Sequence, residues 1–322
     1  MTAVLKRLGG SLLVIFVVLA LNFFLLRMMP GDPISTIIDP RFSPEAKARL
    51  AAQWGLDRPL HEQFAVYMGQ MLTFNFGLSM MTSAPVWDEL GRRVPNTVAL
   101  LLPSLLLSMG LGIWLGVKSA LRRGSYTERA VMLGGAVSFS FPSFFAQIIL
   151  LMCFAYIWPA FPIRGTTSLP PPPWPMSVLD YLWHLALPVF SLVLLGFGGM
   201  ALYVRNLMVK TLGEDYVTMA RARGLPFRRV VWNHAFRSLL PTILTIFLMS
   251  MPGVVGGAVL TENVFSLNGV GRFLMDAVSS NDYPAAGAAF YLLALLTIGC
   301  NLLADAACAI ADPRVRREAA RE

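Results

Sequence analysis

Six apolar runs, each long enough to cross a bilayer as a helix, set the limits on what this chain can fold into. A spanning helix needs roughly 20 mostly apolar residues to traverse about 30 Å of hydrocarbon. The runs lie approximately at Leu8–Leu26, Asn96–Val117, Ala130–Ile157, Trp183–Val204, Leu240–Leu260 and Ala285–Ile310. Composition agrees: of 322 residues 56% are hydrophobic and only 14% are charged, far from the usage of a soluble domain. The third run is long enough to tilt or to continue past the bilayer. The first follows Lys6 and Arg7 and so imitates a signal peptide, but its apolar stretch is too long and no small-x-small cleavage site follows LNFFLLRMMPGDP. It is expected to be a retained anchor.

The charges orient these spans. A formal net charge of +8 would suit nucleic acid in a soluble chain. Here Lys6 and Arg7 precede the first span, Lys118, Arg122, Arg123 and Arg129 separate the second from the third, and Arg314, Arg316, Arg317 and Arg321 follow the sixth. Arg205, Lys210, Arg221, Arg223, Arg228, Arg229 and Arg237 fall between the fourth and fifth. The alternate short loops hold only Arg164 and Arg272. Positive charge marks the cytoplasmic side, so both termini are expected there and nucleic acid is not expected as a partner.

The chain then divides into an anchor over 1–27, an extracytoplasmic cap over 28–95, a membrane core over 96–310 with a cytoplasmic loop at 205–239, and a tail over 311–322. Within the cap, SPEAKARLAAQWGL predicts a polar helix. The outer loop PAFPIRGTTSLPPPPWP carries a proline run that favours extended polyproline backbone. Cys153, Cys300 and Cys308 sit in apolar runs without CxxC spacing, which indicates neither a disulfide framework nor a zinc site. The seventeen methionines, Met28, Met29, Met80 and Met81 among them, read as packing residues rather than soft-metal ligands. No metal site is expected, and His61, His184 and His234 show no paired spacing.

Residues 215–237 read DYVTMARARGLPFRRVVWNHAFR, a polar stretch between two apolar runs. Asp215 to Arg223 predicts a short helix, Gly224 suits the left-handed position that ends one, and Pro226 suits the first turn of a second helix reaching about Arg237. Ala220 and Ala222 flank Arg221 before the turn, so its tip offers small side chains edged by long basic ones. Topology alone requires only positive charge; this order of small, basic and glycine residues suits a docking surface.

The stretch resembles the cytoplasmic coupling motif of ABC importer permeases, specifically the dipeptide, oligopeptide and nickel branch. MPGDP at 29–33, FGLSM at 76–80 followed by PVWDELGRRVPNTVAL, TENVFSLNGVGRFLMDAVSSNDYP at 261–284 and DPRVR at 312–316 are similar to stretches of the same branch, in the same order. Thr218 and Met219 depart from the generic EAA pattern, His234, Ala235, Phe236 and Arg237 fill its later I-x-L-P slot, and Pro226 replaces a usual Ser.

The resemblance implies a turn that inserts into a groove on a separate ATP-binding subunit, with Ala220, Arg221, Ala222, Arg223 and Gly224 docking and Tyr216 and Arg228 at the edge. It also implies a second homologous permease subunit in a heterodimer, two ATP-binding subunits using ATP and Mg, an extracytoplasmic substrate-binding protein, and a place in the bacterial cytoplasmic (inner) membrane. The chain itself has no G-x-x-x-x-G-K-[ST] phosphate loop, so it is expected to be non-catalytic and to bind no cofactor.

In MSMPGVVGGAVL of the fifth span, Pro252 relaxes one helical hydrogen bond and Gly253, Gly256 and Gly257 permit close backbone approach. With Met251 these glycines are candidates for lining the translocation pathway, though ordinary helix packing explains them equally. Glu262 stands at the outer end of that span, where a carboxylate is cheap to keep charged, and Asp305 near the end of the sixth suits a structural hydrogen bond.

The leading functional expectation is a permease subunit for short peptides; nickel or another small cargo of the same branch is the alternative. A membrane-embedded enzyme would want a G-x-S-x-G serine with a facing histidine, or two intramembrane aspartates. A self-sufficient carrier would want paired midplane charges or inverted repeats. The sequence displays none of these. The expected fold is an all-α membrane protein with six transmembrane helices, cytoplasmic termini, an extracytoplasmic cap between spans one and two, and cytoplasmic coupling helices between spans four and five.

Overall fold

The structure, a computed structural model, describes residues 2–28, 49, 52 and 55–311. Among these the chain is helical, with one isolated β-bridge between Leu78 and Pro85. The helices are α1 (Thr2–Met28), α2 (Leu60–Leu72), α3 (Val86–Leu121), α4 (Tyr126–Ser140), α5 (Ser143–Leu151), α6 (Met176–Thr211), α7 (Asp215–Ala222), α8 (Phe227–Arg229), α9 (Arg237–Val264), α10 (Val270–Ser279) and α11 (Tyr283–Ala311). A π-helical segment, Met152–Ile157, prolongs α5, and a second, Val230–Phe236, joins α8 to α9.

Five stretches are long and apolar enough to cross a membrane: Gly9–Met28, Val86–Leu121, Met176–Thr211, Phe227–Met251 and Tyr283–Ala304. A sixth arises if the bent pair Tyr126–Ser138 and Ser143–Ile157 counts as one span. The expected third span was one continuous run, whereas the structure bends it by 103°. Pro142 is the reason: the residue before a proline is driven out of the α region, and Phe141 is extended at φ −81°, ψ 133°.

Two further boundaries move. The second span, expected from Asn96, begins ten residues earlier at Val86, so the cap boundary at Pro95 falls inside α3. Asp88 and Glu89 supply negative charge to the first turn, and Glu89 pairs with Arg93 one turn on, both of which favour a helix starting there. The second helix expected within 215–237 does not end near Arg237 but runs without a loop into α9. The cap helix read in SPEAKARLAAQWGL lies outside the described residues apart from Arg49, Ala52, Gly55 and Leu56, and MPGDP and DPRVR lie outside them entirely. Helix α2, unforeseen in the sequence, follows it.

The chain forms two compact units, Met1–Val98 with Ser266–Gly299, and Ala99–Phe265 with Cys300–Glu322. In the first, Asn22 of α1 is buried and its Nδ2 donates to the Tyr67 hydroxyl (2.8 Å) and to the Gly287 carbonyl (3.2 Å), tying α1, α2 and α11 together. Burial pushes the Tyr67 phenol up to about 12. Asp282, 2% exposed, accepts from Ser79 Oγ (2.5 Å), from the Met81 amide (3.2 Å) and from the Ala285 amide (3.2 Å). That carboxylate fastens the FGLSM loop to the start of α11.

In the second unit α4 packs along α6 through glycines. A Cβ placed on Gly198 would lie 2.7 Å from the Cα of Gly135, and on the neighbouring α3 one on Gly116 would lie 2.7 Å from the Ala201 carbonyl oxygen of α6. Such small residues let helix backbones approach within a membrane. Glu128 pairs with Arg205 and also accepts from the Gly124 amide (2.6 Å), while Ser125 Oγ caps α4 by accepting from the Glu128 amide. His184 is buried, its Nδ1 2.8 Å from the Asp180 carbonyl oxygen.

Candidate functional site: the turn between α7 and α8

The hairpin at 215–237 is built as the composition implies. α7 is amphipathic: Val217 and Ala220 turn inward while Tyr216, Met219, Arg221 and Ala222 face out. Its C-terminus closes at Arg223 (φ −75°, ψ 5°), and Gly224 then takes φ +76°, the left-handed conformation a side chain disfavours. Pro226, at φ −60° and ψ 138°, precedes the first residue of α8 rather than occupying it, and its carbonyl accepts from the Arg229 amide (2.8 Å).

Behind the turn sits a closed apolar core. Val217 and Ala220 of α7 meet Val230, Val231 and Ala235 of the π-helical segment, Leu239 and Ile243 of α9, Val117 and Ala120 of α3, and Val204 and Met208 of α6. All are buried, so the hairpin is packed directly onto the ends of three membrane helices. Tyr216 adds a polar tie, its hydroxyl 2.8 Å from Ser238 Oγ.

The structure brings most of the expected docking residues onto one exposed tip. Arg221, Ala222, Arg223, Gly224 and Arg228 are exposed, and Tyr216 is 44% exposed. Ala220 is not among them: it is 6% exposed and faces the core, because it lies three residues after the buried Val217 and so shares its inner face of α7. It positions the tip rather than forming its surface. A Cβ on Gly224 would meet no neighbour within 4 Å, so the space over the glycine is open.

Two apolar residues not foreseen complete the surface. Met219 is 55% exposed and Phe227 54% exposed, and the Arg221 guanidinium lies 5.4 Å from the centre of the Phe227 ring. The signal was present in GLPF, an aromatic residue placed just after a proline at a loop tip. A surface of exposed aromatic, thioether and guanidinium groups around an open glycine suits insertion into a partner's groove.

The residues considered for a pathway lie together on α9. Gly253 and Gly256 are exposed, Gly257 and Met251 are half-buried, and a Cβ on any of the three glycines would meet nothing within 4 Å. At the end of the same helix Glu262 is 1% exposed. Beside it the bent second half of span three packs on the same helix: α5 contacts α9, and its buried Gln147 donates from Nε2 to Thr261 Oγ1 (2.8 Å). The side chains of Asp305 and Cys308 lie outside the described residues. Met80 is buried, whereas Met28 and Met81 are exposed.

Comparison with known proteins gives this arrangement its context. The model of the binding-protein-dependent transport system inner membrane component matches residues 94–317, and that of the N-terminal membrane component of such systems matches residues 1–101. The chain belongs to the binding-protein-dependent transport permease family. Among relatives of this permease, the di/tripeptide transport system permease protein DppB of Pseudomonas aeruginosa (strain UCBPP-PA14) is 35% identical, the match covering 97% of this chain and 98% of the relative. The oligopeptide transport system permease protein AppB of Bacillus subtilis (strain 168) is 31% identical over 97% and 98%. The dipeptide transport system permease protein DppB of Escherichia coli (strain K12) is 30% identical over 98% of each.

Proposed function

We propose that this permease is one of two homologous membrane subunits of an ATP-driven importer and provides half of the path for short peptides across the bacterial cytoplasmic membrane. The peptide cargo follows the near-full-length similarity to relatives named for dipeptide, di/tripeptide and oligopeptide transport. The proposed assembly adds two ATP-binding subunits that use ATP and Mg, and an extracytoplasmic binding protein that delivers cargo. Both termini are cytoplasmic, in keeping with the basic loops. The segment from residue 28 to the start of α3 forms an outer cap, 311–322 forms a tail, and the stretch between carries the path, with Met251, Gly253, Gly256 and Gly257 facing it.

The observation that carries the reading is the turn itself: an open glycine at φ +76°, ringed by Arg221, Ala222, Arg223 and Arg228, on a hairpin packed against α3, α6 and α9. In the proposed mechanism the ATP-binding subunit grips this tip. Closure of two such subunits then moves the three helix ends together, because the buried contacts behind the tip leave no slack.

Gly224→Tyr tests the proposal in the assembled complex. A Cβ at this position meets no neighbour within 4 Å, so the damage is expected to fall on a docked partner, apart from about 1 kcal/mol of left-handed strain. Gly224→Asn, which tolerates that backbone, serves as the control. The expected result is loss of ATPase-subunit co-purification or of dipeptide-stimulated hydrolysis in Gly224→Tyr, with both largely retained in Gly224→Asn. Unchanged assembly, hydrolysis and dipeptide uptake in Gly224→Tyr overturn the coupling role.

A further inference from the structure

A cavity of about 220 Å³ opens beside the C-terminal turn of α1, within the first compact unit and remote in sequence from the coupling turn. Its walls combine Arg27 at the end of α1, Arg58 in the loop before α2, Gln63, Tyr67 and Gln70 of α2, and Tyr283 at the start of α11. Among the described residues no aspartate or glutamate lines it. Two arginines in a wall whose described residues include no carboxylate favour an anion.

Three details narrow the ligand. The Arg27 guanidinium is held over the Tyr283 ring, 4.5 Å from its centre, and over Phe23 at 5.5 Å, which fixes it at the cavity wall. The Tyr67 hydroxyl accepts from Asn22, leaving its own proton to donate, and burial keeps that phenol protonated. Gln63 Nε2 donates to the carbonyls of Leu56 (3.2 Å) and Arg58 (2.7 Å), so the amide orientation is determined, yet its Oε1 is buried without a partner. An orphan acceptor beside two cations calls for a ligand carrying both a negative group and a hydrogen-bond donor.

The surroundings supply the rest. Phe23 and Leu26 line the cavity, and next to them on α1 Leu21, Phe24, Leu25 and Met28 are exposed, an apolar strip ending where the cavity begins. The cavity is smaller than the usual site for a drug-sized molecule. We propose that it binds the headgroup of a phospholipid, the phosphate facing Arg27 and Arg58, a headgroup hydroxyl or ammonium at Gln63 Oε1, and the acyl chains along the exposed face of α1. This rests on α1 being a membrane span and is independent of the cargo and of the coupling turn.

The test uses the purified, delipidated complex with its partner subunits, read by its thermal unfolding midpoint. Dihexanoyl phosphatidylglycerol is expected to raise the midpoint of the wild type at a concentration about ten-fold or more below that needed by Arg27→Gln/Arg58→Gln, since each lost charge-assisted contact is worth roughly ten-fold in affinity. Dihexanoylglycerol, which lacks the phosphate, is expected to give no comparable shift in the wild type, a comparison that decides the matter even if the double variant fails to assemble. An equal shift from dihexanoylglycerol overturns the proposal in favour of acyl-chain binding alone. Protection by inorganic phosphate or by a dipeptide at the same concentration overturns it in favour of a soluble anion. Dipeptide-stimulated ATP hydrolysis, measured alongside, reports separately on the transport reading.

Discussion

The Tyr216 hydroxyl lies 2.8 Å from Ser238 Oγ, which fastens α7 to the opening turn of α9, the membrane helix that follows the hairpin. Tyr216→Phe removes that tie and leaves the ring in place. A hydrogen bond of this kind contributes about 1 kcal/mol. Co-purification of the ATP-binding subunit is expected to persist, while cargo moved per ATP hydrolysed falls, by at most the roughly five-fold to which that energy corresponds. Paired uptake and hydrolysis assays in proteoliposomes give the ratio, and an unchanged ratio would show that the apolar core alone transmits motion.

The α4–α6 contact is the least forgiving place in the second unit. Gly198→Ala drives a methyl onto the Gly135 backbone, which cannot rotate aside, so a loss of about 1–3 kcal/mol is expected. Gly110→Ala, whose Cβ meets nothing within 4 Å, is expected to leave stability unchanged or slightly raised. Thermal unfolding of the two detergent-solubilised variants side by side checks the contrast.

Asp282 holds three donors with one buried carboxylate. Asp282→Ala strands the Ser79 hydroxyl and the Met81 amide, and is expected to destabilise the first unit by about 2–3 kcal/mol. Limited proteolysis should then cut within residues 76–85 first. Equal resistance in variant and wild type would remove Asp282 from its fastening role.

Gln147→Leu runs against intuition for a fully buried polar residue. It deletes the bond to Thr261 but also deletes Oε1, which is buried with no partner, and Thr261 Oγ1 keeps its own bond to the Gly257 carbonyl (2.9 Å). The two effects oppose, so the unfolding midpoint should move by less than the equivalent of about 1 kcal/mol. A large drop would mean that Oε1 is partnered in the assembled transporter.

Much of this was legible in the sequence, for identifiable reasons. Apolar run length is a one-dimensional signal and found the spans; a glycine after ARAR and before LP found the left-handed turn at Gly224. Three features were hidden because they depend on partners distant in the chain or on local competition. The bend at Phe141–Pro142 lies within an apolar run whose length alone argued for continuity. The inward face of Ala220 depends on Val230 and Val231, which pack over it. The Gln147–Thr261 contact of α5 with α9 joins residues more than a hundred positions apart in the chain. Helix α2 was missed because its apolar stripe is short and interrupted by polar residues.

The unbroken passage from α8 through the π-helical segment into α9 has a mechanical meaning. Residues 227–264 form one rod of about 57 Å, beginning at the turn and ending at the buried Thr261 and Glu262. A pushrod of this kind has no joint in which a stroke applied at one end can be dissipated. Its compliance resides in the wider π-helical coil and at Pro241 and Pro252, each of which removes a backbone donor. In the proposed mechanism a stroke delivered at Gly224 would reach the glycine face of α9 reduced only by the give at those points, and their stiffness would set the gearing between the two ends.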